Sequence, residues 1–209
     1  EDNPENASYA LEYAQKLMDN GDIDEAIGAL ENTLSYNDTN NMVYLTLGNA
    51  YNENSDFYDA IKTLEDLFDL DRNNYRVAIK ISENHIELDE FDSAYEWGSK
   101  ALKISKKNAE SLSHMGNLYY KAMNACRGDN FSRSDKTVAS LAYTYFAQAE
   151  KKGNSKYFKQ KRWLEENDVL FGRADWFMLD KDIQTTGEVS PAGRCYDWVS
   201  ESLTKQSDW

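Results

Sequence analysis

The 209-residue chain is poor in several things at once. It has two cysteines, two histidines, two prolines and ten glycines. So little proline and glycine excludes collagen-like and linker-dominated chains. Two Cys and two His, widely spaced, do not make a zinc pattern. No run of 18 apolar residues occurs, so no segment reads as a membrane span. Bases are the minority, 23 against 37 acids, for a net charge of −14. That argues against nucleic acid as a partner, because phosphate binding needs clustered Lys and Arg. Paired carboxylates in apolar surroundings, a glycine-rich phosphate loop and a nucleophile–base spacing are also missing. His114 lies three helical turns before Cys126 on the same expected helix and is not a natural partner for its thiol. The chain therefore reads as a non-enzyme, with no cofactor and no metal. It opens on Glu1 rather than Met and shows no apolar signal segment, so it reads as a trimmed form of a longer precursor.

What is present is organised around residues 41–74. Tyr44, Leu47 and Tyr51 fall on one stripe of a first helix, and Ala60, Leu64 and Leu67 on one stripe of a second. Gly48 and Ala60 are small where the two helices must approach closely. This pattern resembles the tetratricopeptide repeat (TPR), a 34-residue helix–turn–helix unit. One frame back, residues 7–40 give Ala10, Tyr13, Ala14 and Leu17, then Ala26, Leu30 and Thr33. There Asn20-Gly21-Asp22 is the turn, and Asp24 is expected to cap the second helix. One frame on, residues 75–108 give Ala78, Ile81, Ser82 and His85, then Ala94, Gly98 and Ala101.

A fourth repeat over 109–152 starts with Leu112, Met115, Gly116 and Tyr119 and resumes at Ala142, Phe146 and Ala149. The step from Tyr119 to Ala142 is 23 residues where the repeat has nine, so 14 have been added. The expected result is a first helix running to about Ala125, an insertion at about 126–135, and a second helix at about 135–152. Long insertions of this kind carry a partner contact or a lid. Residues 155–166 read as a basic helix capping the array. Residues 167–209 lose the periodicity and read as an irregular, aromatic-rich tail with a short strand pair. The expected fold is thus all-α: a TPR α-solenoid of antiparallel helix pairs over residues 1–154, a capping helix, and the tail packed on the last repeat.

The last part also resembles exported tetratricopeptide proteins of Bacteroidetes-type bacteria. The matching residues are Cys126, then Phe131 and Lys136 before the Tyr143–Ala149 helix, then Cys195 with Trp198-Val199, with an inserted pair between Cys195 and Trp198. The resemblance implies a Cys126–Cys195 disulfide and a place outside the cytoplasm, whether periplasmic, cell-surface or secreted. Two reduced, buried thiols in a cytoplasmic protein are the other reading.

The TPR resemblance further implies a groove lined by the first helices. Its positions fall on Leu11, Gln15 and Met18, then Leu45, Asn49 and Asn52. From the later repeats come Arg76, Ile79, Glu83 and Ile86, then Ser113, Asn117 and Tyr120. The places used to clamp a C-terminal carboxylate are Leu11, Gln15, Thr46, Arg76 and Lys80, of which two are basic. The amides suit an extended peptide backbone and the apolar residues its side chains. The function expected is a scaffold that binds a peptide or partner subunit. The alternative is a subunit that stacks end to end with copies of itself into an oligomer or filament. Charge asymmetry keeps this alive, residues 1–100 summing to −17 and residues 101–209 to +3.

Weaker motifs are a calcium-loop-like start at Asp69, an Arg127-Gly128-Asp129 tripeptide, glycosylation acceptors at Asn6, Asn37 and Asn130, and Asp92-Ser93-Ala94. The calcium loop lacks its glycine and its final glutamate, which are Asn74 and Lys80 here.

Overall fold

A computed structural model describes residues 7–36, 38–207 and 209. Asn6 and Asn37 lie outside the described residues. The chain divides into two units, Glu1–Leu88 and Asp89–Trp209, and the division falls inside the 75–108 frame.

The first unit holds α1 (Ala7–Asn20), α2 (Ile23–Tyr36), α3 (Asn41–Glu53), α4 (Phe57–Leu70) and α5 (Tyr75–Glu87). Each neighbouring pair packs, around a core of Ala14, Ala26, Leu30, Val43, Leu47 and their neighbours. The starts and stops obey the 34-residue period. Asn40 and Asn74 close two frames, and each accepts from the backbone of the helix that follows: Asn40 from Val43 N at 3.2 Å, Asn74 from Val77 N at 3.4 Å. Gly21 and Ser55 turn the chain inside two frames with φ of +88° and +66°. After each, a backbone N–H reaches back to close the helix, Asp22 N to the Leu17 carbonyl and Asp56 N to that of Tyr51, both at 2.9 Å. Gly48 is small for the reason expected, since a Cβ there would stand 2.8 Å from Leu64 Cγ. Asp24 does not cap α2; it lies in the first turn, one residue past Ile23, where its charge faces the helix N-terminus. Its carboxylate instead accepts from Asn54 Nδ2 at 3.1 Å.

The second unit holds α6 (Phe91–Ile104), α7 (Ala109–Cys126), α8 (Arg133–Lys151), α9 (Phe158–Glu166), α10 (Arg173–Phe177), α11 (Lys181–Thr186), and the antiparallel pair β1 (Glu188–Val189) and β2 (Leu203–Thr204). Asn108 continues the capping series, 34 residues after Asn74, with Ser111 N donating to it at 2.8 Å. The α7–α8 pair is the insertion-bearing repeat, and its insertion lengthens both helices as well as the loop between them. Gly116 faces Phe146 across this pair, where an added Cβ would stand 2.5 Å from the ring. The expected 155–166 helix begins at Phe158. Before it Asn154 Oδ1 accepts from Lys156 N and Phe158 N donates to the Ser155 carbonyl, which makes a turn of those residues.

The tail departs from the expected irregularity by forming two short helices beside the strand pair. Five- and six-residue helices are too short to show a period in the sequence. Tertiary contacts hold α10. Asp175 accepts from Gly172 N at 3.1 Å and pairs with Lys136 of α8 at 3.2 Å, and Trp176 is fully buried against Trp209. Cys126, the last residue of α7, is disulfide-bonded to Cys195, with 6.0 Å between their Cα atoms. Beside this bridge Asp135 does two jobs. It completes the capping box of α8 with Ser132, and its other oxygen accepts from Tyr196 OH at 2.5 Å.

Candidate partner-binding face

In the Glu1–Leu88 unit, α1, α3 and α5 carry the residues expected to line a groove. On α3, Asn49 and Asn52 are three residues apart and share a face; on α5, Lys80 and Asn84 are four apart and do the same. The two faces are stitched together. Lys80 Nζ donates to Asn49 Oδ1 at 2.9 Å, and Asn52 Nδ2 donates to Asn84 Oδ1 at 2.6 Å. Asn84 Nδ2 in turn donates to the Lys80 carbonyl at 2.9 Å, which fixes its side chain. Asn84 is buried, Asn49 and Lys80 are half-buried, and Asn52 is exposed. The Asn49 amide nitrogen and the Asn52 amide oxygen have no hydrogen-bond partner among the described residues. A donor and an acceptor therefore stand one helical turn apart on a rigidly braced surface.

Around this stitch, Leu45 and Glu83 are half-buried and Arg76 is exposed, its guanidinium 5.6 Å from the Tyr75 ring. On α1, Leu11 and Met18 lie half-buried against the core, and Gln15 bonds to Asp19 at 2.8 Å. Ile79 and Ile86 are core residues, at 6% and 4% exposure, and do not line the surface. The apolar arc of α5 is wide, running through Val77, Ala78, Ile81 and Ser82 as well, so positions outside the expected stripe are buried too.

The Asp89–Trp209 unit treats its expected groove residues differently. Tyr120 meets the Trp163 ring edge-on at 6.1 Å and lies 6.5 Å from Phe146, so the capping helix α9 covers the ring that was expected to face a ligand. Ser113 is buried and Asn117 half-buried. A cavity beside Ser113, Phe146, Asn154 and Lys161 measures about 10 Å³, room for about one water. His114 is buried, and burial with the nearby Lys156 charge pushes its imidazole down to about 4. Elsewhere in this unit the tail lies on the helices. Trp198 stacks on Tyr119 at 5.7 Å, and Glu201 accepts from Tyr119 and Tyr145 at 3.2 and 2.7 Å. Burial first, and then the Glu201 charge, raise both phenols. Among the described residues no group of three His, Cys, Asp or Glu could hold a metal, and no helix is long and apolar enough to cross a membrane.

No protein-family model matches the chain, and no curated protein matches it. Solved structures do. MamA from Desulfovibrio magneticus RS-1 superposes with a TM-score of 0.60 at 12% identity, over 78% of this chain and 85% of that one. TTC0263, a thermophilic TPR protein of Thermus thermophilus, gives 0.58 at 16% identity, over 80% and 84%. YrrB, a TPR protein with an unusual peptide-binding site, gives 0.54 at 14% identity, over 79% of each chain. The fold is that of the tetratricopeptide-repeat proteins.

Within the TPR fold the braced surface belongs to the first helices of the second and third repeats. Sequence reasoning found Asn49, Asn52 and Lys80 there and missed Asn84, to which Asn52 is bonded. A signal for it existed. Asn84 stands seven residues after Val77 and three after Ile81, on the same apolar stripe of the helix, and a buried amide of that kind requires partners.

Proposed function

We propose that the chain is a protein-interaction scaffold that takes a peptide or a segment of a partner subunit on the first-helix face of the Glu1–Leu88 unit. The observation that carries this reading is the braced pair on α3. Asn49 offers N–H donors and Asn52 an acceptor, one turn apart, and both are held by α5. An extended peptide presents alternating carbonyl and N–H groups that match such a pair. Because the supporting side chains are already ordered, little conformational entropy is lost when the peptide arrives. The exposed Arg76 and half-buried Leu45 beside them suit an acidic group and an apolar side chain of the same ligand.

A place outside the cytoplasm belongs to the same proposal. The disulfide between Cys126 and Cys195 supports it, since such bonds persist in oxidising compartments. So does the likeness of the last repeat to exported TPR proteins of Bacteroidetes-type bacteria.

A displayed library of random peptides, selected on the wild-type protein and on the Asn49→Ala, Asn52→Ala double variant, tests the face. Peptides should be recovered on the wild type and lost on the double variant. Equal recovery on both would move binding off this face, and light scattering showing large, concentration-dependent species would replace peptide capture by self-stacking.

A further inference from the structure

Two turns of the Asp89–Trp209 unit bring lysines together. Lys103, Lys106 and Lys107 lie at the α6–α7 connection, and Lys151, Lys152 and Lys156 at the α8–α9 connection, all exposed. Lys152 Nζ donates to the Lys107 carbonyl at 2.7 Å, which holds one turn against the other. From Gly98 to Ala109, and again from Lys151 to Leu164, the sequence contains no acid. The flanking Glu150 is already paired with Lys161 at 2.6 Å. No carboxylate among the described residues pairs with Lys103, Lys106, Lys107 or Lys151.

The fold does not require this charge. One repeat earlier the same connection is Asp69-Leu70-Asp71-Arg72-Asn73, which joins α4 to α5 equally well. Moreover Lys106 and Lys107 hold φ of +54° and +57°, a conformation in which Asn or Gly would sit at lower cost. Lysine ammonium groups brought to one edge in this way repel one another over distances up to about the Debye length, and an anion removes that repulsion. In a chain of net charge −14 the cluster is a local reversal of sign.

We propose that this lysine edge docks an acidic segment of a partner protein, a run of Asp or Glu side chains, and does so with residues that take no part in the peptide-binding face of the other unit. The choice of lysine favours carboxylates in loose array, since a lysine is a flexible point charge without the fork by which arginine fixes a phosphate. An anionic membrane fits less well. A flat bilayer would bring acids of the same unit close to its own negative charge.

Fluorescein-labelled deca-glutamate, followed by anisotropy at about 20 mM and about 300 mM salt, tests the proposal. Wild-type protein should bind it at low salt, lose affinity as salt rises, and ignore deca-glutamine. The Lys103→Glu, Lys106→Glu, Lys151→Glu variant should bind at least about tenfold more weakly. The neutral Lys103→Gln, Lys106→Asn, Lys151→Gln variant should fall between, and serves alone if the charge reversal disturbs folding by circular dichroism. The Asn49→Ala, Asn52→Ala protein should bind deca-glutamate like wild type, so this surface can fail while the other stands, and the reverse. The proposal is overturned by absence of binding at low salt, by equal affinity in the lysine variants, or by loss of binding in the asparagine variant. Sedimentation with phosphatidylserine vesicles in the absence of deca-glutamate binding would overturn it in favour of a membrane.

Discussion

Replacing Gly116 by alanine adds one methyl group at the crossing of α7 and α8, and its effect can be worked from the distances. The new Cβ would stand 2.5 and 2.6 Å from two carbons of the Phe146 ring. Ordinary carbon–carbon contact is about 3.5–4.0 Å, so roughly 1 Å must open. The ring has little room to move, being 3% exposed and packed on Tyr120 and on Tyr157, whose centroids lie 6.5 and 5.4 Å away. Overpacking of this kind costs about 1–3 kcal/mol, against a gain of about 1 kcal/mol because alanine favours the helix over glycine. Gly28 supplies the control. It is mid-helix in α2 and exposed, with nothing within 4 Å of an added Cβ, so Gly28→Ala should show the propensity gain alone. The propensity contribution is common to both, and the difference between the variants, about 1–3 kcal/mol, isolates the packing cost. The assay is urea unfolding followed by two signals. All five tryptophans lie in the Asp89–Trp209 unit, so their fluorescence reports that unit, while circular dichroism reports both. Gly116→Ala should lower the midpoint seen by fluorescence, and Gly28→Ala should raise only the dichroism midpoint of the other unit. A Gly116→Ala protein stabilised as much as the Gly28→Ala protein would refute the close approach of α7 and α8.

Two other outcomes follow from the second unit. Buried His114 titrates at about 4 when folded, against 6.5 for the unperturbed group. The unfolded chain therefore takes up a proton that the folded one refuses, and stability falls as pH drops from 6.5 to 4. The loss reaches about 3 kcal/mol and is absent above that window. Tryptophan-detected urea unfolding at pH 7 and pH 4 should show His114→Gln losing less than wild type across this range; equal losses would show that His114 is not the group responsible. Reduction of the Cys126–Cys195 bridge, which spans 69 residues of sequence, should lower the stability of the same unit by about 4 kcal/mol in the chain-entropy description. The same titration with and without dithiothreitol measures it, and an unchanged midpoint would mean that the tail is held by its other contacts alone.

The repeat was legible because its signals are local and recur. Within the Glu1–Leu88 unit each helix packs on its sequence neighbours, so the stripe of Tyr44, Leu47 and Tyr51, the small Gly48 and the turn at Gly21 are all set within a few dozen residues. The capping series at Asn40, Asn74 and Asn108 was equally local, and attention to what closes each frame would have revealed it. Groove membership was legible only in part. Periodicity puts Asn49 and Lys80 on first-helix faces, but whether such a face stays open depends on what lies over it. Trp163 of α9 covers Tyr120, and the wide apolar arc of α5 buries Ile79.

By itself, then, the sequence determined the helix pairs, their 34-residue period, their caps and the glycines at their crossings. The rest was decided by tertiary structure. The short helices of the tail, the double use of Asp135 by α8 and Tyr196, the burial of Asn84 beneath Asn52 and the gathering of two lysine turns at one edge are contacts between segments about 30–80 residues apart. No local periodicity records such contacts, because each segment takes its conformation from a partner elsewhere in the chain.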